Sequence, residues 1–109
     1  MGLAASQSRF LQLTARKSDL EMQGQTINQQ RMQLANQMGN EMMNASSLDP
    51  NDPKAAQNQK KTEALQQMDK RLELLLRRVD TQQQACQTEI QAVQKVIDKN
   101  IDMSFKTFA

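Results

Sequence analysis

One short segment interrupts an otherwise continuous helical pattern in this chain of 109 residues. The segment reads Asp49-Pro50-Asn51-Asp52-Pro53 and contains both prolines of the sequence. Proline breaks a helix from within, but it suits the second position of a β-turn and the first position of a new helix. The sequence therefore predicts a turn at Pro50, Asn51, Asp52 and Pro53, with a helix on each side.

Outside this segment the chain contains few residues that end a helix. It has three glycines, whereas α/β and all-β domains need frequent turns. We therefore expect an all-α fold, with an N-terminal helix in residues 1–48, a Pro-containing turn at residues 49–53 and a C-terminal amphipathic helix in residues 54–109. So short a connection folds two long helices back on each other, which predicts a long antiparallel two-helix hairpin forming one structural unit.

Apolar residues recur along both predicted helices at helical spacing. The first-helix stripe repeats every seven residues and consists of Leu13, Leu20, Ile27 and Leu34. The stripe on the second helix, which we call the assembly stripe, consists of Leu65, Met68, Leu72, Leu75, Val79, Cys86, Ile90, Val93, Ile97 and Ile101. Because Cys86 lies on this stripe, we expect a buried and unreactive thiol.

Two helices alone can cover only part of this apolar surface. The first helix carries further apolar residues off its stripe, namely Met22, Met32, Ala35, Met42 and Met43. Small domains are marginally stable even when compact, so the remaining surface calls for other chains. We therefore expect the hairpin to pack into a helical assembly.

The second helix also presents a group of uncharged amides next to its apolar stripe. These are Gln83, Gln87, Gln91 and Gln94. Solvated helices usually carry Lys and Glu, so two interpretations remain open. The amides either pack subunits together through hydrogen bonds, or they line a water-filled surface that lacks a strong field.

The composition argues against catalysis and against several kinds of ligand. The chain has no His and one Cys, and it lacks the glycine-rich loops that cradle phosphates. We therefore expect no enzyme activity, with no catalytic, cofactor-binding or metal-binding residues. The net charge of +2 and the shortage of aromatic residues predict no nucleic-acid binding. No apolar run approaches the length that crosses a membrane, so we expect no direct membrane span.

The turn and the C-terminal half together resemble the needle-forming subunits of bacterial type III secretion systems. Those subunits are small two-helix hairpins with a Pro-x-x-Pro turn, here Pro50 to Pro53. They also carry a Lys-Val-Ile segment shortly before a terminal aromatic residue, here Lys95-Val96-Ile97 ahead of Phe105 and Phe108. The N-terminal segment resembles a group of small uncharacterised bacterial proteins that open with Met-Gly-Leu-Ala-Ala-Ser-Gln.

The resemblance to needle subunits implies a function and a location. It implies a helical homopolymer that forms a hollow, needle-like filament and acts as an export conduit. The C-terminal helix would face the lumen, which makes the four amides possible lumen residues. Partners would be further copies of the chain, unfolded protein cargo, and a tip or base protein. The chain would be cytoplasmic before assembly and extracellular or on the cell surface after export without a signal peptide.

Two alternatives remain open at this point. The main one is a soluble coiled-coil adaptor or export chaperone that forms a small closed oligomer. A closed oligomer needs one self-complementary surface, whereas a filament needs two or more different surfaces, which the extra Met residues of the first helix favour. The other is a lipid-anchored helix, since Met1-Gly2-Leu3-Ala4-Ala5-Ser6 also matches the myristoylation pattern. Its simpler explanation is that Gly2 allows removal of the initiator Met.

Overall fold

The computed structural model describes residues 2–108, and within them it contains two α-helices and no strands. Helix α1 spans Leu3–Ser46 and helix α2 spans Pro53–Phe108, with 44 and 56 residues. The all-α prediction is confirmed. Met1, which opens the myristoylation pattern, the terminal Ala109 and the side chain of Phe108 lie outside what the structure describes. Helix α2 begins at Pro53, one residue before the predicted C-terminal segment.

Aspartate side chains shape the connection between the helices. The backbone N–H of Asp52 donates to the carbonyl of Asp49 at 2.9 Å, which closes a β-turn with Pro50 at its second position. The side chain of Asp49 also accepts a hydrogen bond from the N–H of Asn51 at 3.1 Å. These bonds turn the chain within a few residues, as the short connection requires.

The start of α2 is capped in a way that its sequence explains. Asp52 precedes the helix, and its Oδ1 accepts a hydrogen bond from the backbone N–H of Lys54 at 2.9 Å. This satisfies one of the N–H groups that have no partner within the first helical turn. Pro53 takes the first helical position, where the missing N–H costs nothing.

Contacts within the chain group into two units, and both helices contribute to each. Unit 1 combines α1 up to Gln23 with α2 from Val79 onward, and unit 2 contains Gly24–Arg78. That the hairpin forms one structural unit stays a prediction.

In unit 1 the helices run antiparallel. Arg9 on α1 pairs with Glu89 on α2, and Leu13, further along α1, contacts Cys86, which comes earlier on α2. The buried side chains of this unit are Ser6, Leu13, Leu20, Val79, Cys86 and Ile97.

In unit 2 the helices are antiparallel as well. Arg31 pairs with Asp69, whereas Glu41, further along α1, contacts Asn58, which comes earlier on α2. Ile27, Leu34 and Asn58 are buried. In both units the helices meet along positions spaced alternately three and four residues apart, and we call these positions the seam. In each unit one seam makes a thin core, and the antiparallel hairpin prediction is confirmed.

Candidate assembly surface

The structure divides the predicted apolar residues between the seam and the exterior. All four members of the first-helix stripe are buried: Leu13, Leu20, Ile27 and Leu34. Seven members of the assembly stripe are buried or half-buried: Leu65, Leu72, Val79, Cys86, Ile90, Val93 and Ile97. The other three, Met68, Leu75 and Ile101, are exposed.

The exposed members of the assembly stripe have a physical explanation. Several of the seam positions on α2 carry polar side chains, among them Thr62, Asp69 and Gln83, all half-buried. The position of a residue around the helix decides whether it meets α1, whatever its hydrophobicity. A stripe chosen by hydrophobicity therefore omits the polar seam residues and includes apolar residues at the edge of the seam. For example, Leu76 occupies the seam position that follows Leu72 and is half-buried, whereas Leu75 lies at the edge and is exposed.

An ion pair lies within the seam of unit 2. The Nε of Arg31 donates to Oδ1 of Asp69 at 2.9 Å, and its Nη2 donates to Oδ2 at 3.4 Å. The hydrogen bond from Arg31 holds the pKa of Asp69 below its ordinary value, against the opposing effect of desolvation. The same hydrogen bond raises the pKa of Arg31. Both groups are therefore charged at neutral pH.

Asn58 and Cys86 make further polar contacts between the two helices. The Nδ2 of Asn58 donates to the carbonyl oxygen of Glu41 at 3.0 Å and to its Oε2 at 2.6 Å. In unit 1 the Sγ of Cys86 donates to the carbonyl of Leu13 at 3.1 Å. The thiol is buried, as expected from its place on the stripe. An unpartnered buried donor or acceptor costs stability, so such contacts specify which residues face each other.

The four predicted lumen amides do not share one environment. Gln83 lies in the seam and Gln87 lies beside it, both half-buried, whereas Gln91 and Gln94 are exposed. Within residues 2–108, the Oε1 of Gln87 is buried without a hydrogen-bond partner. The Nε2 of Gln94 donates to Oδ1 of Asp98 at 3.1 Å. Of these four amides, Gln91 and Gln94 are therefore the exposed ones.

Large apolar side chains lie exposed in each unit. In unit 1 they include Leu11, Met22, Val96, Ile101, Met103 and Phe105. In unit 2 they include Met32, Met42, Met43, Met68, Leu74 and Leu75. Scattered apolar residues are normal on a surface, but Ile101 and Phe105, four residues apart near the end of α2, lie on the same side of the helix. Sequence reasoning missed Leu11 and Met103. Leu11 stands off the seven-residue repeat of α1 and Met103 stands off the assembly stripe of α2, so both could have been found by that criterion.

Unit 2 also has an open groove of about 440 Å³ beside its seam. The groove is lined by Leu34, Met68 and Leu72 together with three glutamines of α1 and Arg71. Among residues 2–108, no group of three or more Cys, Asp or Glu side chains is placed to hold a metal ion. No helix in this part of the chain is both long and apolar enough to cross a membrane.

No protein-family model matches this chain, and no curated protein or solved structure is significantly similar to it.

Proposed function

We propose that this protein is a self-assembling subunit of a needle-like hollow filament, which belongs to a type III-like bacterial secretion apparatus and acts as an export conduit. The observation that carries this proposal is the exposure of large apolar side chains on both helices. Phe105 is 75% exposed and Met43 is 74% exposed. Burying such a side chain fully contributes about 1.5–3 kcal/mol, so packing against other copies would stabilise a chain that has a thin core.

The distribution of these residues favours a filament over a closed oligomer. One set lies on α1 in unit 2 and includes Met32, Met42 and Met43, whereas another lies near the end of α2 in unit 1. Two different surfaces on each subunit allow growth without closure. A single set would favour the alternative, a soluble adaptor or chaperone that forms a small closed oligomer.

The resemblance to needle subunits supports the same proposal. The Pro-x-x-Pro segment forms a tight turn, with Pro50 inside it and Pro53 at the start of α2. In the Lys-Val-Ile segment, Ile97 is buried in the seam, whereas Val96 is partly exposed and available to another copy. The same segment can then hold the hairpin together and contact a neighbour.

The remaining parts of the proposal follow from the needle resemblance. The partners are further copies of the chain, unfolded cargo, and a tip or base protein. The chain would be cytoplasmic before assembly, and extracellular or on the cell surface after export. Of the four amides, Gln91 and Gln94 are the residues whose exposure suits a water-filled lumen.

A matched pair of substitutions near the end of α2 tests the proposal. Ile101→Asp places a carboxylate on an exposed apolar position, and Thr107→Asp adds the same charge at an exposed polar position turned about 120° around the helix from Ile101. We expect the wild-type chain and Thr107→Asp to form filaments that pellet on ultracentrifugation, and Ile101→Asp to stay in the supernatant with unchanged helix content by circular dichroism. Equal pelleting of all three proteins would contradict the use of this surface in assembly.

A further inference from the structure

In unit 2 the exterior of α1 carries no ionised side chain. Between Gly24 and Ser47 the sequence contains only two ionisable residues, Arg31 and Glu41. Both are half-buried and used within the hairpin, Arg31 by Asp69 and Glu41 by Asn58. A solvated surface typically carries about 25–35% charged residues, so this uncharged stretch of helix is not what exposure to water alone would favour.

The exterior of α2 in the same unit has the opposite character. Its exposed residues include seven basic side chains and one acidic side chain, that of Glu63; the basic ones are Lys54, Lys60, Lys61, Lys70, Arg71, Arg77 and Arg78. Unit 2 therefore presents one neutral helix surface and one strongly basic helix surface.

The apolar residues on the exterior of α1 follow their own repeat. Met32, Ala35, Gly39 and Met42 are spaced three, four and three residues apart, which is the spacing of a second helix-packing seam. Met43 lies beside them. We call these five residues the neutral face. Met32 and Met42 are each 67% exposed, so the hairpin itself does not use this seam.

Gly39 supports the same conclusion independently of the methionines. It lies in the interior of α1 without a positive φ, and a Cβ built on it would meet nothing within 4 Å. Nothing inside the described chain therefore requires glycine at this position, although glycine disfavours helix formation. Small residues at a helix surface allow a second helix to approach closely, with larger side chains such as Met32 and Met42 packing on either side.

We infer that the neutral face packs against the neutral face of a second copy of this chain, which deepens the proposed self-assembly and rests on it. Charge selects this occupant. Two basic α2 surfaces would repel each other, and a neutral face against a basic one would bury lysine and arginine charges without partners. Two neutral faces have neither cost. The amides around them carry both donors and acceptors, so identical surfaces can hydrogen-bond to each other.

Charge swapping on the full-length chain tests this inference. One variant carries Met32→Glu and Met42→Glu, and another carries Met32→Lys and Met42→Lys. A control carries Gln33→Glu and Asn40→Glu, two exposed positions of the same helix that follow Met32 and Gly39 and are turned about 100° away from them. Sedimentation velocity reports the mass of each protein and of an equimolar mixture of the Glu and Lys variants, and circular dichroism checks that each variant remains helical.

We expect the wild type and the control to sediment at twice the chain mass of 12.4 kDa or more. Each double methionine variant alone should sediment as a monomer, because like charges would meet across the interface. The mixture should regain the associated mass, since opposite charges then face each other.

Three results would overturn the inference: a monomeric wild type, an associated Glu variant, or a mixture that stays monomeric. Tubes formed by the Glu variant would reject this interface and leave the filament proposal standing. A wild type that associates through the neutral face but never forms tubes would reject the filament proposal and leave the interface standing.

Discussion

Arg31 and Asp69 face each other across the seam of unit 2, with Nε and Oδ1 2.9 Å apart. Neither residue belongs to the apolar stripes of the two helices. An ion pair at such a position adds little net stability relative to apolar residues of similar volume, but removing one partner leaves the other charge uncompensated. We therefore expect the pair to contribute mainly by selecting which residues of α1 and α2 face each other.

This relationship leads to a prediction about single and double substitutions. Asp69→Ala should lower the melting temperature, because the guanidinium of Arg31 loses its partner. The double substitution Arg31→Met with Asp69→Leu should restore it to the wild-type value or above. Thermal unfolding followed by circular dichroism measures both. A double variant that is less stable than Asp69→Ala would show that the ion pair itself is a net source of stability.

The same pair predicts how stability depends on pH. Arg31 lowers the pKa of Asp69 in the folded chain below its ordinary value of 3.8. The contribution of the charged carboxylate is therefore complete above that ordinary value and is lost as the pH falls through the lowered pKa. We expect the wild type to be more stable than Asp69→Asn at neutral pH and the difference to shrink in acid. If the stability difference between the wild type and Asp69→Asn grew on acidification, the prediction would be contradicted.

The cap of α2 predicts a local effect on stability. Asp52→Ala removes the side-chain oxygen that accepts from Lys54, and we expect a loss of about 1 kcal/mol in the free energy of unfolding. Asn51→Ala is the matched control, because Asn51 contributes its backbone N–H to Asp49 and alanine retains that group. Urea unfolding distinguishes the two. Equal losses in both variants would contradict the capping role.

Substituting a buried and an exposed leucine of α1 should have very different effects on stability. Leu20 is 4% exposed and Leu11 is 68% exposed. Leu20→Ala should lower the free energy of unfolding by about 2–5 kcal/mol, because it opens a cavity in the seam. Leu11→Ala should change it by no more than about 0.5 kcal/mol when measured on the monomer. A large loss from Leu11→Ala in the monomer would show that Leu11 is part of the hairpin core.

Gly39 predicts a substitution that stabilises the single chain. Because its added Cβ meets nothing, Gly39→Ala should raise the free energy of unfolding by about 0.5–1 kcal/mol. The measurement requires the monomeric variant with Met32→Glu and Met42→Glu, so that association does not contribute. Ala15→Gly, at an exposed position inside α1, is the reverse control and should lower stability by a similar amount. A lower free energy of unfolding for Gly39→Ala would show that the added methyl group meets another part of the same chain.

Much of the fold could be predicted from local chemistry. Pro50 and Asp52 define the turn and the start of α2, and the repeat from Leu13 to Leu34 marks the buried side of α1. The seam of α2 was harder to predict, because hydrophobicity does not identify positions held by Asp69 or Gln83. Counting residues outward from the turn in both directions places Arg31 opposite Asp69. The opposite charges of these two residues could therefore have identified Asp69 as a seam position.

The candidate surface could be predicted only in part. Met32, Met42 and Met43 stood out because they lie off the seven-residue repeat of α1, and the structure leaves them exposed. The four amides of α2 were predicted as one group, but they differ in exposure: Gln87 is half-buried beside the seam, whereas Gln91 is exposed. Four residues on one side of a helix can differ in burial when the partner helix covers one edge of that side. Sequence spacing alone does not contain this information.

The central claim is that the chain assembles into a hollow filament, and negative-stain electron microscopy of the concentrated full-length protein tests it most directly. We predict unbranched filaments of uniform diameter, with a stain-filled channel at the centre of end-on views. Small closed particles of uniform size would instead identify an adaptor or chaperone oligomer, and solid fibres without a channel would contradict the conduit.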